Sequence, residues 1–523
     1  MTTASASART SYDVVIVGGG HNGLTAAALL ARAGMSTLLL ERLPDTGGAA
    51  VSKVAFPGRR ARLSRYSYLV SLMPEALIAD LQLNVELRSR NVASYTPYYR
   101  DGRHGGLLVE RPEGEQTRAS FRELTGSDDE YVAWQTFYGD VAKLAAAVAP
   151  TLLDPLRTES SIAQEVDADL WRELVREPLG QSIERRFADD VVRGVVATDA
   201  LIGTFAELGS PSLVQNKCFL YHLIGNGSGE WRVPVGGMGA MTDALLKAAV
   251  GAGAEVLTGA GVSRISADGV GAEVTWHDGF ASHTVSCGTV LSGVAPWVLR
   301  ILLGEEADEE TKPEGAQLKI NFLLDHLPAL RSGADPTVAF AGTFHVAEDY
   351  RLLEAAYADA AAGRVPGILP GEVYCHSLTD PSIMDGEPGH TLTYFGLHTP
   401  ASLFDSEENR AEAISRALSA LNVHLEEPIE GCIAVDTNGH HCIEAKFPQD
   451  IEDELAMPGG HIFHGDLEWP WASNRALLST PAQRWGVATD IDNVLICGAG
   501  ARRGGAVSGI GGHNAAQAVL EGR

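Results

Sequence analysis

Residues 12–42, YDVVIVGGGHNGLTAAALLARAGMSTLLLER, constrain this chain more than any other stretch. The apolar run at 14–17 reads as a buried strand. Gly18, Gly20 and Gly23 then complete a G-x-G-x-x-G fingerprint, and an alanine-rich helix follows over 24–33 until Gly34 ends it. STLLLE is a second strand that closes on Glu41. Strand, glycine turn, helix, strand and terminal acid together are the context in which this fingerprint signals a dinucleotide site. The first glycine makes the turn, the second lets a pyrophosphate approach the backbone, and the third packs helix on strand. Glu41 is placed to accept both hydroxyls of an adenosine ribose. His21 and Asn22 inside the fingerprint, and Arg42 beside the acid, count with these residues as cofactor-binding candidates.

GGAA follows Glu41 after a short loop, with Gly47, Gly48 and Ala49 leading it. A second glycine pair here resembles the FAD-binding signature of glutathione-reductase-type folds, so FAD is the expected cofactor. A middle segment, WRVPVGGMGAMTDALLKAAVGAGAEVLTGAGVSRISADG, reads as a glycine turn, a helix over Met238–Gly251 and strand over 255–265, with Val262 the expected adenine contact. No second G-x-G-x-x-G precedes a helix there, which argues against a separate nicotinamide domain.

Near the other end, NVLICGAGARRGGAVSGIGGHNAAQAVLEG reads as a buried strand, a glycine-rich loop and a helix start. Glycine in such number serves left-handed backbone or close approach, and a helix N-terminus after a glycine loop is an anion site.

These segments, with FPGRRARLSRYSYLVSL, QLKINFLL and HIFHGDL, resemble the phytoene-desaturase-like flavoproteins of the flavin amine oxidase superfamily, and the likeness covers most of the chain. It implies an α/β fold: a Rossmann-type FAD-binding domain of the glutathione-reductase type, a mixed-sheet substrate domain and a helical cap. The expected boundaries are 11–75 with 228–300 and 484–523 for the first, 85–115 with 301–483 for the second, and 116–227 for the third. The resemblance also implies that Gly498 and Gly500 lie by the pyrophosphate and ribityl chain. It places Gly509 and Asn514 by the isoalloxazine, with Ala515 entering a helix whose N-terminus faces the flavin and whose dipole favours its reduced anion.

The chain departs from these relatives where substrate and flavin meet. Arg502 and Arg503 replace a His-Pro pair, and GIGGHN replaces a proline- and arginine-bearing version. Arg503 is expected to face the cavity and Arg502 to make a structural ion pair. With His513 they are the catalytic candidates, and they point to a small-molecule substrate, apolar with a polar or anionic end. The expected reaction is FAD-dependent dehydrogenation, in which substrate hydride passes to flavin N5 and leaves a double bond. Oxygen or a quinone is the expected acceptor. An amine or amino-acid oxidase, a redox-neutral double-bond isomerase and a non-catalytic flavoprotein are the alternatives.

Composition narrows the rest. A formal charge of −27 and a pI near 4.9 speak against nucleic acid and anionic membranes. No apolar run reaches transmembrane length, and the polar opening MTTASASART reads as a disordered tail, not a signal peptide. Cytoplasmic localisation follows as an expectation. The six cysteines form no C-x-x-C, so reduced thiols are expected and no metal site. NGHHCIEAK tempts a metal reading, but adjacent histidines on a strand point to opposite faces. Lys319 reads either as a flavin-side lysine or as part of a structural ion pair. Trp231, Trp469, Trp471 and Tyr394 read as an aromatic wall or as core. The runs SYLVSLMPEALIADLQL and FLYHLI read as tunnel lining or as core.

Overall fold

The computed structural model describes residues 9–523. The tail read in the opening sequence lies, for its first eight residues, outside that range.

The strand Ser11–Val17 forms because its inward positions are aliphatic and fully buried. It sits at the centre of a seven-stranded sheet, parallel to Thr37–Glu41 on one side and Ser282–Ser292 on the other. Glu255–Thr258 extends the sheet beyond Thr37–Glu41, and Val494–Ile496 adds in parallel to Ser282–Ser292. Two antiparallel strands, Gly261–Ala267 and Ala272–His277, complete it. The single strand expected over 255–265 is therefore two strands, because the chain turns through Gly259 at φ +67°.

The helix His21–Arg32 is buried from Asn22 to Ala31, which its run of alanines permits. Met238–Gly251 and Ile510–Glu521 pack against it. The closeness of the last helix explains two of the C-terminal glycines: a Cβ at Gly512 would stand 1.9 Å from the carbonyl of Asn22, and one at Gly511 would stand 2.7 Å from the carbonyls of Cys497 and Gly498. That helix starts at Ile510, earlier than the entry at Ala515 expected from the resemblance.

A second, mixed sheet runs in the order Ile443–Lys446, Leu318–Leu324, His390–Gly396, Gly371–Tyr374, Thr343–Val346, Val92–Arg100, Arg103–Glu110. Only the contact between Thr343–Val346 and Val92–Arg100 is parallel. Helices between Glu115 and Leu223 form a separate apolar cluster around Phe121, Phe137, Ile183 and Val192. Within the expected helical cap, the segment DLWRELVREPLGQSIERRF passes through a π turn at Arg172–Arg176 and restarts as Leu179–Arg186 after Pro178, where proline cannot continue a helix. Rossmann-like sheet, mixed sheet and helical layer together are the expected α/β fold.

All six cysteines are free and buried. Among the described residues, no helix is long and apolar enough to cross a membrane.

Candidate active site

The fingerprint glycines build a cradle. Gly18 takes φ +100°. Gly23 touches the turn so closely that a Cβ would lie 2.1 Å from the Gly18 carbonyl. Gly20 is the opposite case, for a Cβ there would meet nothing within 4 Å. Its backbone faces open space, which is the approach a pyrophosphate needs. Glu41, buried at the end of its strand, accepts from the Gly19 N–H at 2.6 Å and from the Leu43 N–H at 2.8 Å. Each carboxylate oxygen keeps a lone pair for a ribose hydroxyl. Gly48 packs on Gly20, and the Gly47 N–H donates to the Gly19 carbonyl at 2.8 Å. These residues fit an adenosine diphosphate moiety.

The cradle opens into one cavity of about 600 Å³, within the range of cofactor and substrate sites. Gly18, Gly20, His21, Asn22, Gly23, Glu41, Arg42, Gly48, Ala49, Val262 and Gly498 all reach its wall. Burial pulls the His21 imidazole down to about 4, and its Nε2 lies 3.0 Å from the Ala506 carbonyl.

The rest of the C-terminal reading needs correction. Gly500, Gly509, Asn514 and Ala515 stand behind the wall. A Cβ at Gly500 would strike Pro296 at 2.5 Å, and one at Gly509 would press on Thr25, Leu77 and Met73. Asn514 and Ala515 are fully buried, and the Asn514 amide faces the Leu152 carbonyl at 3.4 Å. Most glycines of this segment serve protein–protein contact within the chain. Ala506 and Val507, which sequence reading passed over, reach the cavity instead.

Arg503 does not face the cavity. It is 1% exposed, and its guanidinium donates to the carbonyls of Thr151 at 2.8 Å, Asp154 at 2.7 Å and Trp485 at 3.1 Å. Burial lowers its pKa to about 10. The physical reason is local: Arg503 takes φ +76°, which turns its side chain away from the loop's open side and into the helical layer. Arg502 makes the expected ion pair, with Glu468, and also donates to the Trp471 carbonyl at 2.7 Å. His513 packs edge-on against Trp485 and bonds the Asn514 side chain at 2.9 Å. None of the three lines the cavity.

The chemistry-bearing wall comes from the mixed sheet and the helical layer. Lys319, fully buried, donates to the carbonyls of Ser64 and Tyr66, the latter at 2.8 Å. Its Nζ sits 4.8 Å from the centroid of Tyr68, and burial holds its pKa well below the usual lysine value. It reaches the cavity and makes no ion pair among the described residues. Tyr68 packs on Tyr374 with centroids 4.7 Å apart, and the Arg90 guanidinium lies 5.8 Å from the Tyr374 ring. The Tyr374 hydroxyl donates to Glu372, which also accepts from Thr198 at 3.3 Å. Burial raises the carboxyl of Asp199 to about 7 against the pull of Arg111, and burial also raises Glu372.

Beside Glu372, His345, which also lines the cavity, and Glu348 each bring one ligand atom within 4.8 Å of the others. His345 is fixed by Thr96 at 2.7 Å, while neither oxygen of Glu348 accepts a hydrogen bond. Burial and the neighbouring Glu372 push Glu348 well up. Two buried carboxyls this close disfavour being ionised together. His326, Glu427 and Cys432 form a similar group with two exposed members. His440 and His441 sit in an exposed turn before the strand Ile443–Lys446.

Of the aromatic candidates, only Trp231 lines the cavity. Trp469 stacks on Trp471, and the Tyr394 hydroxyl is spent on the Leu369 carbonyl at 2.7 Å. Tyr68 and Leu69 from the first apolar run, with His222 and Leu223 from the second, do reach the wall. Arg90, Arg111, Asp199 and Glu372 had no sequence signal. They come from separated segments, and only the fold brings them together.

Residues 16–74 match the NAD(P)-binding Rossmann-like domain family. The chain is 50% identical over 526 residues to an uncharacterised protein of Mycobacterium tuberculosis, covering 97% of both. It is 27% identical over 565 residues to pyridine nucleotide-disulfide oxidoreductase domain-containing protein 2 of mouse, covering 97% of this chain and 93% of that one. Among solved structures, cyclohexylamine oxidase from Brevibacterium oxydans superposes with a TM-score of 0.55 at 15% identity, covering 98% of each chain. That last likeness is one of fold.

Proposed function

We propose that this chain, which belongs to one family with its mycobacterial relative and carries an NAD(P)-binding Rossmann-like domain, is an FAD-dependent oxidoreductase of the flavin amine oxidase type that dehydrogenates a small-molecule substrate. One observation carries the reading: the dinucleotide cradle at Gly20 and Glu41 and the polar wall at Lys319, Tyr68 and Tyr374 belong to the same cavity. The residues that would hold a dinucleotide and the groups at the other end therefore share one space.

When bound, FAD supplies the two-electron chemistry, accepting hydrogen from a substrate carbon. The chain's own part is to bind, orient and set charge. Glu41 would hold the ribose, and the Gly18–Gly23 turn would hold the pyrophosphate. Lys319, its pKa lowered by burial and its Nζ anchored on the carbonyls of Ser64 and Tyr66, is held at the cavity face. Asp199 and Glu372, with raised pKa values, are the groups in this wall able to take or return a proton near neutral pH. The aromatic and aliphatic side chains around them exclude water.

The sole G-x-G-x-x-G favours a non-nicotinamide reductant. Anaerobic mixing of the purified protein with excess NADPH is expected to leave the flavin spectrum oxidised for minutes, whereas an organic substrate bleaches it. Rapid bleaching by NADPH alone would move the protein to the pyridine-nucleotide reductases.

A further inference from the structure

Arg90 is 8% exposed, yet among the described residues it makes no ion pair. Its guanidinium has one long contact, with the Thr343 hydroxyl at 3.4 Å, and lies near the face of Tyr374. Other arginines with part-buried partners are matched: Arg65 with Glu444 at 2.7 Å, Arg100 with Asp189 at 2.6 Å, Arg186 with Asp140 at 2.8 Å. Arg503, more deeply buried, donates to three carbonyls. A buried cation lacking both kinds of partner is costly, and this one faces the cavity.

Arg111 also lines the cavity, and among the described residues its side chain makes neither an ion pair nor a hydrogen bond. The fold delivers the two together. Val92 pairs with Glu110 in the edge hairpin, and the Arg111 N–H donates to the Asn91 carbonyl at 2.8 Å. Arg90 and Arg111 thus leave the same end of two adjacent strands. The positive charge of Arg111 adds to the burial that lowers Arg90. An anion between them would relieve both.

We propose that Arg90 and Arg111 are a carboxylate-binding pole, and that the substrate is an organic acid with an apolar body; this rests on the oxidoreductase reading of the same cavity. A planar guanidinium matches the two oxygens of a carboxylate. The nearby Asp199 and Glu372 disfavour a more highly charged anion such as a phosphate. Trp134, Tyr138, Ile202, Phe395 and Phe463 on the wall supply an apolar lining for the remainder.

The test is calorimetric titration of the holoprotein with butanoate, 4-phenylbutanoate and decanoate, each beside its alcohol and its amine of identical skeleton. FAD content is measured on the same samples. At least one acid is expected to bind tenfold or more tighter than its alcohol and amine. That preference should fall below threefold in both Arg90→Gln and Arg111→Gln, with FAD content unchanged. Equal or tighter binding of the alcohols or amines, no binding by any acid, or a preference that survives both substitutions overturns the proposal. Absence of FAD from a protein that still prefers acids would instead overturn the cofactor reading and leave the arginine pole standing.

Discussion

The backbone N–H of Gly19 donates to Oε2 of Glu41 at 2.6 Å, so the glycine turn and the ribose-binding acid form one unit. The bond fixes the carboxylate before any ligand arrives, which removes part of the ordering cost of binding. Glu41→Ala removes both the anchor and the ribose acceptor. FAD affinity is expected to fall by about 1–3 kcal/mol, read as a rise in Kd when apoprotein is titrated with FAD. An unchanged Kd would separate Glu41 from the cofactor.

Gly20 and Gly512 provide a contrast between ligand space and packing space. Gly20 has an extended φ of −71° and an empty Cβ position, so Gly20→Ala is expected to fold with stability near that of the parent while losing FAD affinity. In Gly512→Ala the new methyl meets the Asn22 carbonyl at 1.9 Å, forcing two buried helices apart. A loss of roughly 1–3 kcal/mol is expected from such overpacking. Urea unfolding of the two apoproteins checks both, and equal destabilisation would contradict the distinction.

Arg503 is expected to act as a clamp between the C-terminal loop and the helical layer. Arg503→Ala leaves three carbonyls without their donor and should cost on the order of 2–4 kcal/mol. The rate of anaerobic flavin reduction by a substrate, measured well below the unfolding transition, should change less than threefold. A large rate loss with unchanged stability would return Arg503 to the cavity.

Asp199 carries a pH dependence. Its ordinary value is 3.8 and its folded value is about 7, raised by burial. Between those values the folded chain keeps a proton that the unfolded chain has released. Its contribution to stability is therefore complete below about pH 4 and is lost as the pH climbs to 7. Asp199→Asn abolishes this titration, so the parent should lose more stability than the variant between pH 5 and pH 7.5, by on the order of 1–3 kcal/mol. Equal losses would show that Asp199 titrates normally.

The N-terminal cofactor cradle was legible because its residues are contiguous and each has a steric job that only its type performs. Gly18, Gly20, Gly23 and Glu41 sit where the fingerprint puts them. The C-terminal segment was legible as structure but not as contact. Its glycines signal close approach, and sequence does not say whether a cofactor or a neighbouring helix approaches; at Gly511 and Gly512 it is protein. Arg503 illustrates a second limit, because a left-handed backbone at a non-glycine residue reverses the expected side-chain direction. The polar wall was illegible for a third reason. Arg90, Arg111, Asp199, Glu372 and Tyr374 meet through strand order in the mixed sheet and its contact with the helical layer, and no local motif encodes that order.

The central claim is that this cavity holds FAD, and the direct measurement is the identity of whatever the purified protein releases on heat denaturation. The account predicts a yellow protein that releases FAD, without a covalent link, at close to one equivalent per chain, with the spectrum and mass of the intact dinucleotide. Release of FMN, of a nicotinamide dinucleotide, or of no chromophore from a folded protein that also fails to take up added FAD would contradict it.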